Sequence, residues 1–223
     1  SSPSNVNDGS TGGLTGKIVS DSLLLLGSGN FNLNSSTNNV SVLSSGSSGS
    51  RVGNLLFVNS GALSIGSVAA NNGVFASGTI SIATLSDDLS VSQNINTQNT
   101  STSALILNAG KSTGSGTSTG GNIKFSGGAS ITLGANGRAL LYSGSVSGSS
   151  GMTAIVGSGS NRFRYNSDES SSNYALALGT GIHAIYRERP SLIIVADDKT
   201  LTYGTSPTLT TTVNGLQNGD TVA

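Results

Sequence analysis

Short clusters of alternating apolar and polar residues recur along most of this chain. In each cluster an apolar residue precedes a polar one and a second apolar residue follows, after which Gly, Ser or Asn is common. This period of two predicts short β-strands with one buried face and one solvent-facing side, and no long stretch has the repeat of an amphipathic helix. The clusters are Phe31-Asn32-Leu33, Val40-Ser41-Val42, Leu63-Ser64-Ile65, Ile80-Ser81-Ile82, Leu89-Ser90-Val91, Ile123-Lys124-Phe125 and Ile131-Thr132-Leu133.

A longer period organises these clusters. Strong clusters begin near Leu23, Leu55, Leu89 and Ile123, with a fainter one near Thr153, so that the gaps are 32, 34, 34 and 30 residues. Two further clusters follow within each interval, and a fixed repeat of three short strands is typical of a solenoid. We therefore predict an all-β fold, a right-handed parallel β-helix with about 33 residues per coil.

Proline and charge mark a boundary near the carboxyl end. No Pro occurs between Pro3 and Pro190, as expected for a body made of parallel ladders, because Pro cannot donate to a ladder. Three charged residues, 187–189, precede Pro190, and the strands predicted after it are longer and joined by tight turns. We predict a parallel β-helix over residues 1–189 and a partial, β-rich module over residues 190–223.

Composition excludes several classes of function. Charged residues make up 9% of the chain and the formal net charge is +0, which disfavours binding to nucleic acid. Cys is absent and no apolar run is long enough to span a bilayer, so we expect neither disulfides nor membrane insertion. The hydrophobic fraction of 35% is too high for a disordered Ser/Gly-rich chain.

Candidate catalytic groups are sparse, and we predict no enzyme site and no cofactor. Asp87-Asp88 and Asp168-Glu169 are the acidic pairs of the body. At about 33 residues per coil they lie roughly 11 Å apart along the axis and out of phase around it. The carboxylates of a glycosidase lie about 5–10 Å apart. His183 alternates with apolar residues and has no second His or Cys to join it, so we place it on the outer face near the end of the helix, without a metal.

Arg162-Phe163-Arg164-Tyr165, with Arg187 and Arg189, is the one basic and aromatic cluster, and its four consecutive residues are the candidate contact surface. Arg and aromatic side chains are favoured where proteins meet partners, including sugars and peptides. The alternative is a solvated strand whose arginines pair with nearby carboxylates.

Glycosylation patterns occur at Asn34, Asn39 and Asn99. The glycine pairs at 120–121 and 127–128 lack the Asp of calcium-binding solenoid repeats, so no metal is predicted.

Three segments of the body carry a family resemblance: Leu89-Ser90-Val91-Ser92-Gln93-Asn94-Ile95, Ala104-Leu105-Ile106-Leu107-Asn108-Ala109-Gly110 and Gly121-Asn122-Ile123. Together they resemble the carboxy-proximal part of filamentous-haemagglutinin-like exoproteins, adhesins exported by two-partner secretion. The tail, from Val195-Ala196-Asp197-Asp198-Lys199 through Tyr203-Gly204 to Asn218-Gly219-Asp220-Thr221, resembles the opening of an MBG-type repeat.

The resemblance implies a function that the residues alone do not. It implies a non-enzymatic adhesin fragment, secreted or displayed on a bacterial cell surface, that acts as a rigid β-helical rod. Its partner would be a receptor or glycan on a host or neighbouring cell, and its export would use an outer-membrane secretion partner. Two alternatives stay open, namely a polysaccharide-active β-helix enzyme and a purely structural surface stalk.

Overall fold

The computed structural model describes residues 6–7 and 16–221 and is nearly all β, with 37% strand and 2% helix. The all-β prediction is thereby confirmed, and each of the seven alternating clusters contains a strand. The helix α1 covers Met152–Val156. The strands are β1 (Val6–Asn7), β2 (Val19–Leu25), β3 (Phe31–Leu33), β4 (Asn39–Ser45), β5 (Leu55–Asn59), β6 (Leu63–Ile65), β7 (Ser67–Val68), β8 (Asn71–Asn72), β9 (Val74–Ala76), β10 (Ile80–Thr84), β11 (Leu89–Val91), β12 (Ile95–Thr97), β13 (Leu105–Ala109), β14 (Ile123–Phe125), β15 (Ile131–Thr132), β16 (Arg138–Ser143), β17 (Phe163–Arg164), β18 (Gly181–Tyr186), β19 (Ile193–Ala196) and β20 (Thr211–Asn214).

Two sheets of parallel strands form the body, and one of the sheets is strongly curled. The first sheet has the order β1-β3-β5-β10-β13-β16-β18-β17. The second has the order β14-β11-β6-β4-β9-β12-β15, and β2 also pairs with β4. Apart from β17 and β18, successive strands of the chain therefore do not pair with each other in these two sheets. Instead β10, β11 and β12 pair with β5, β6 and β9 on one side and with β13, β14 and β15 on the other.

The prediction of a fixed spacing near 33 residues is wrong. In the first sheet the partners Phe31, Leu55, Ile80, Leu105, Ala139 and Ile182 are separated by 24, 25, 25, 34 and 43 residues. The sequence period joined clusters that belong to different sheets, because Leu55 lies in the first sheet and Leu89 in the second. The cluster near Thr153 is not a strand but lies in α1.

Alternation along each strand divides the core from the outer face. In the first sheet the inward row in register is Leu33, Phe57, Ile82, Leu107, Leu141 and Ala184, all of them fully or almost fully buried. Parallel strands lie about 4.8 Å apart, so each side chain in this row packs on the next. Full burial of one such large apolar side chain contributes about 1.5–3 kcal/mol, and this row repeats that contribution strand after strand.

Asparagine side chains extend the hydrogen bonding beyond the strand ends. The Oδ1 atom of Asn30 accepts from the backbone N–H of Asn54 at 2.7 Å, and Asn54 Oδ1 accepts from the N–H of Thr79 at 2.8 Å. Elsewhere Asn94 Oδ1 accepts from Ser130 at 3.0 Å and Asn122 Oδ1 accepts from Ser145 at 2.8 Å. At the turns between strands, the amide oxygen of Asn thus accepts the kind of hydrogen bond that a backbone carbonyl accepts within the sheet. This role accounts for Asn at the turns.

Asn59 takes this role inside the core, and its replacement is expected to destabilise the fold. Its side chain accepts from Val40 N at 2.8 Å and donates to Val40 O at 3.0 Å and to Gly61 O at 2.9 Å. We expect Asn59→Leu to lower the free energy of unfolding by about 2–4 kcal/mol, because buried backbone groups lose their partners at about 1–3 kcal/mol each. Urea denaturation followed by circular dichroism measures this.

Asn54→Leu is the matched control for this variant. Asn54 is exposed, so water replaces its amide oxygen as the partner of Thr79, and the expected loss is under about 1 kcal/mol. Equal denaturation midpoints for the two variants would contradict the role assigned to Asn59.

The carboxyl end of the body has an unusual strand order. β17 precedes β18 in the sequence but lies outside it, at the edge of the first sheet. Tyr186 stacks on Phe163 and Tyr165, with ring centroids 6.4 and 5.7 Å apart, and α1 contributes buried Met152 and Val156 to the same core. These side chains cover the inner rows of the sheet at this end.

The residues after Pro190 differ from the body in strand pairing and in burial. β19 and β20 form a two-stranded antiparallel sheet, and all four residues of β19 are exposed. The boundary predicted at residue 190 stays a prediction. Within the described residues no helix is both long enough and apolar enough to cross a membrane.

Candidate contact site

The predicted contact cluster at residues 162–165 does not form one exposed surface. Arg162 is exposed, but Phe163 is only 5% exposed and Arg164 only 7%. β17 pairs with β18, so Phe163 stands opposite Ala184 and enters the core, whereas Arg164 stands opposite Ile185 on the outer face. This part of the outer face is itself covered, and the expectation of a shared surface is therefore corrected for Phe163 and Arg164.

Arg164 is held by the chain that covers it. Its guanidinium donates to the carbonyl oxygens of Asn161 at 3.0 Å and Phe163 at 2.8 Å, and it lies over the ring of Tyr174 at 5.5 Å. The alternative of a solvated strand whose arginines pair with carboxylates does not describe it either. The ion pairs found among residues 16–221 are Lys111–Glu169 and Lys124–Asp88.

Tyr165 connects the body to the carboxyl-terminal segment. Its hydroxyl donates to Asp220 Oδ2 at 2.8 Å and accepts from Asn218 Nδ2 at 3.0 Å. Burial raises the pKa of Tyr165 well above its ordinary value, and Asp220 adds to this rise while Asn218 opposes it. Arg162 is thus the one fully exposed side chain of the four predicted contact residues.

One carboxylate of each acidic pair, Asp88 and Asp168, accepts hydrogen bonds from the backbone. Asp88 accepts from Asn122 N at 2.8 Å and from Lys124 Nζ at 2.5 Å. Asp168 accepts from the N–H groups of Ser115 at 2.6 Å and of 170 and 171 at 2.7 Å each. Burial alone would raise the pKa of both carboxyls, but these hydrogen bonds outweigh it, and both pKa values are lowered.

Asp88 and Asp168 therefore hold two points of one loop, residues 110–122, between β13 and β14. Asp168 binds it near its middle at Ser115, and Asp88 binds it at its end at Asn122. No group of three or more His, Cys, Asp or Glu side chains that could hold a metal occurs in the described residues. The arrangement of these hydrogen bonds fixes the geometry of the loop.

His183 faces outward, as its alternation predicts, but it is buried. It stands opposite Leu140, on the face away from the main core, and is 4% exposed. Leu178 packs on this outer face, and the Nε2 atom of His183 lies 3.2 Å from the carbonyl oxygen of Gly179. The segment around Leu178 that covers this face has no alternating pattern of apolar and polar residues, so its position was not predictable from the sequence.

His183 is expected to make the stability of the protein depend on pH. Burial lowers its pKa below the ordinary 6.5; backbone bonds at residues 179 and 180 oppose this and nearby arginines add to it. The unfolded chain thus takes up the proton first, so the stability is complete above about pH 6.5 and falls as the pH drops toward the folded pKa.

His183 is the only histidine of the chain, so the dependence of the unfolding free energy on pH that histidine causes has one source. We expect His183→Leu to remove most of the change in unfolding free energy between about pH 7 and about pH 5. Urea denaturation at a series of pH values measures it. A slope that persists unchanged in the variant would contradict this origin.

A polar cleft lies where the loop after β13 meets the chain around Asp168. Its volume is about 590 Å³, and one end of it is closed by Glu169, whose Oε2 lies 3.5 Å from Lys111 Nζ and 2.9 Å from Asn108 Nδ2. The lining residues are Asn108, Lys111, Ser112, Thr113, Gly114, Asp168, Glu169, Ser170 and Ser171. Sequence reasoning missed this cleft, because its two walls are about 60 residues apart in the chain and their pairing is not local.

Gly110 lets the chain leave β13 toward this cleft. Its φ is 92°, and a Cβ there would overlap the carbonyl oxygen of Gly120. A second, smaller cleft of about 360 Å³ lies beside Arg162 and has apolar walls from Ile131, Leu133 and Ile182.

No family model, curated protein or solved structure matches this chain. The resemblance to filamentous-haemagglutinin-like adhesins and to MBG-type repeats thus stays a prediction based on the residues quoted for it.

Proposed function

We propose that this chain is a non-enzymatic adhesin fragment, secreted or displayed on a bacterial surface, and that its body is a right-handed parallel β-helix acting as a rigid rod. The observation that carries the proposal is the in-register pairing of three successive strand triplets, the middle one with the triplet before it and the triplet after it. β5-β6-β9, β10-β11-β12 and β13-β14-β15 pair in this way. A chain that winds round a common axis accounts for this order simply, since consecutive strands then belong to three different faces.

Stiffness follows from this arrangement. Each strand of the first sheet from β3 to β16 is hydrogen-bonded to two neighbours, and buried rows run through all of them. Adding length to such a stack adds about 4.8 Å per coil without any hinge between coils. A rod of this kind holds a binding region away from the cell that displays it.

The partners follow from the resemblance and are proposed with it. They are a receptor or glycan on a host or neighbouring cell, and an outer-membrane secretion partner for export. The carboxyl-terminal residues 190–223 form a partial MBG-like module in this reading, and the antiparallel pairing of β19 and β20 supports a change of architecture there.

A cell-binding experiment with the whole chain tests the proposal. Beads that carry the chain are expected to bind at least one cell type in a panel of bacteria and epithelial cells, whereas beads with the denatured chain do not. Native chain that binds none of them would favour the structural stalk. Turnover of polysaccharides that Asp88→Ala or Asp168→Ala abolishes would overturn the proposal in favour of an enzyme.

A further inference from the structure

Asn108 interrupts an apolar row on the outer face of the first sheet. In register this row contains Val58, Ala83, Asn108, Tyr142 and Ile185, and all five are buried. Asn108 is 3% exposed, and an apolar side chain of the same size would suit the row without any polar group to satisfy. Packing therefore does not account for an asparagine at this position.

The amide of Asn108 is only half satisfied. Its Nδ2 donates to Glu169 Oε2 at 2.9 Å, but its Oδ1 is buried and has no hydrogen-bond partner among the described residues. An unpaired buried acceptor costs about 1–3 kcal/mol. Asn108 lines the polar cleft, and its amide would have to turn toward the cleft for a donor there to reach this shielded oxygen.

The side chains that line the cleft include both hydrogen-bond donors and hydrogen-bond acceptors. Lys111 donates, Glu169 accepts, and Ser and Thr hydroxyls at 112, 113, 170 and 171 can do both. No apolar side chain lines the cleft, and its charged groups are one ammonium and two carboxylates. A ligand that carries neighbouring hydroxyls matches this pattern, because each hydroxyl also donates and accepts. An anionic ligand is disfavoured by Asp168 and Glu169.

The walls are also held in place before any ligand arrives. Three backbone N–H groups fix Asp168, and Ser112 N donates to Leu85 O at 2.9 Å. The Lys111–Glu169 pair is partly exposed, with side chains 40% and 32% accessible, so its separation costs at most about 1 kcal/mol. A volume of about 590 Å³ falls within the range of small-molecule sites.

We propose that this cleft binds a neutral, hydroxyl-rich sugar, with Asn108, Lys111 and Glu169 as its hydrogen-bonding groups. The proposal deepens the adhesin function, on which it rests, by naming a neutral glycan as the partner class and this cleft as its site.

Nuclear magnetic resonance on the isotope-labelled whole chain tests the site. The probes are the neutral disaccharides lactose, maltose, cellobiose and N-acetylchitobiose, with sialyllactose as the anionic probe. At least one neutral disaccharide is expected to shift the backbone amides at residues 108–114 and 168–171, and sialyllactose is expected to bind at least about tenfold more weakly. No shift with any neutral probe, shifts confined to another region, or equal binding of sialyllactose would overturn the proposal.

Two variants separate binding from folding. Asn108→Leu continues the apolar row and is expected to keep the stability of the chain while weakening sugar binding at least about tenfold. Lys111→Ala is expected to weaken binding too. Lys124→Ala is its matched control, since Lys124 also pairs with a carboxylate at the surface but lies outside the cleft. Sugar binding that survives Asn108→Leu, or that Lys124→Ala weakens as much as Lys111→Ala, would overturn the proposed site.

The experiments distinguish a wrong assignment of the sugar site from a wrong assignment of the adhesin function. Cell binding that persists in Asn108→Leu leaves the adhesin function in place and removes the cleft from it. Localised sugar shifts in a chain that binds no cell leave the cleft in place and remove the adhesin function.

Discussion

Arg187→Met is expected to lower the free energy of unfolding by about 2–4 kcal/mol, because the buried carbonyl of Ala109 and two partly covered carbonyls lose their donor, at about 1–3 kcal/mol for a fully buried group. Arg187 is 1% exposed. Its guanidinium donates to the carbonyl oxygens of Ala109 at 2.7 Å, Gly121 at 2.7 Å and Thr119 at 3.1 Å. These carbonyls lie at both ends of the loop between β13 and β14, so one side chain closes that loop from inside.

The charge of Arg187 offsets part of this loss. Burial lowers the pKa of Arg187 to about 10, against a smaller opposing effect of Asp168, so the cation is kept at neutral pH at a cost in desolvation. Removing it relieves that cost, but the buried carbonyl of Ala109 then has no donor and those of Thr119 and Gly121 lose theirs. We therefore expect a net loss and a lower urea midpoint.

Two further variants sharpen the test of Arg187. Arg189→Met is the control, since Arg189 lies two residues away and is exposed, and it is expected to change the stability by less than about 0.5 kcal/mol. Arg187→Lys is expected to fall between them, because an ammonium lacks the planar fork that reaches three carbonyls. A Met variant at 187 as stable as the Met variant at 189 would refute the assigned role.

Ile82→Asp is expected to abolish folding, whereas Ser81→Asp is expected to be tolerated. Ile82 is fully buried between Phe57 and Leu107, and an unpaired carboxylate there has no partner in the apolar row. The expected loss exceeds about 4 kcal/mol. Ser81 faces the other side and is half-buried, so its change is expected to cost about 1 kcal/mol, near the centre of the range for point substitutions.

Soluble yield, circular dichroism and urea denaturation of the two Asp variants measure this difference. The pair is a direct test of side-chain direction, because the two positions are adjacent and differ only in the face that they present. Equal loss of structure in both variants would contradict the register of β10.

Strands were predictable from the sequence because their signal is local. The period of two is visible within single clusters such as Phe31-Asn32-Leu33 and Ile80-Ser81-Ile82. In both clusters the first and third residues are buried and the middle one is less so, as that period requires. The spacing between partners was not predictable in this way. Clusters of the two sheets look alike, and a loop such as residues 110–122 lengthens one interval without changing the strands that flank it.

The candidate site shows the same limit. The sequence brings Arg162 to Tyr165 together, but it does not say that the chain near Tyr174 and Leu176 returns to cover Arg164. The cleft at Asn108 depends on a contact with Glu169, which is 61 residues away. One local signal was present there, since Asn108 is a polar residue in the otherwise apolar run Leu105 to Ala109.

The inverted order of β17 and β18 restricts how this end of the protein can assemble. β17 pairs with β18 alone, so it has no neighbour in the sheet until a strand synthesised later has docked onto β16. Addition of strands in the order of synthesis can therefore proceed as far as β16 and must stop there. Residues 163–186 therefore enter the sheet out of chain order, with β18 docking before β17 has a partner, and loss of β18 deprives β17 of its only neighbour in the sheet.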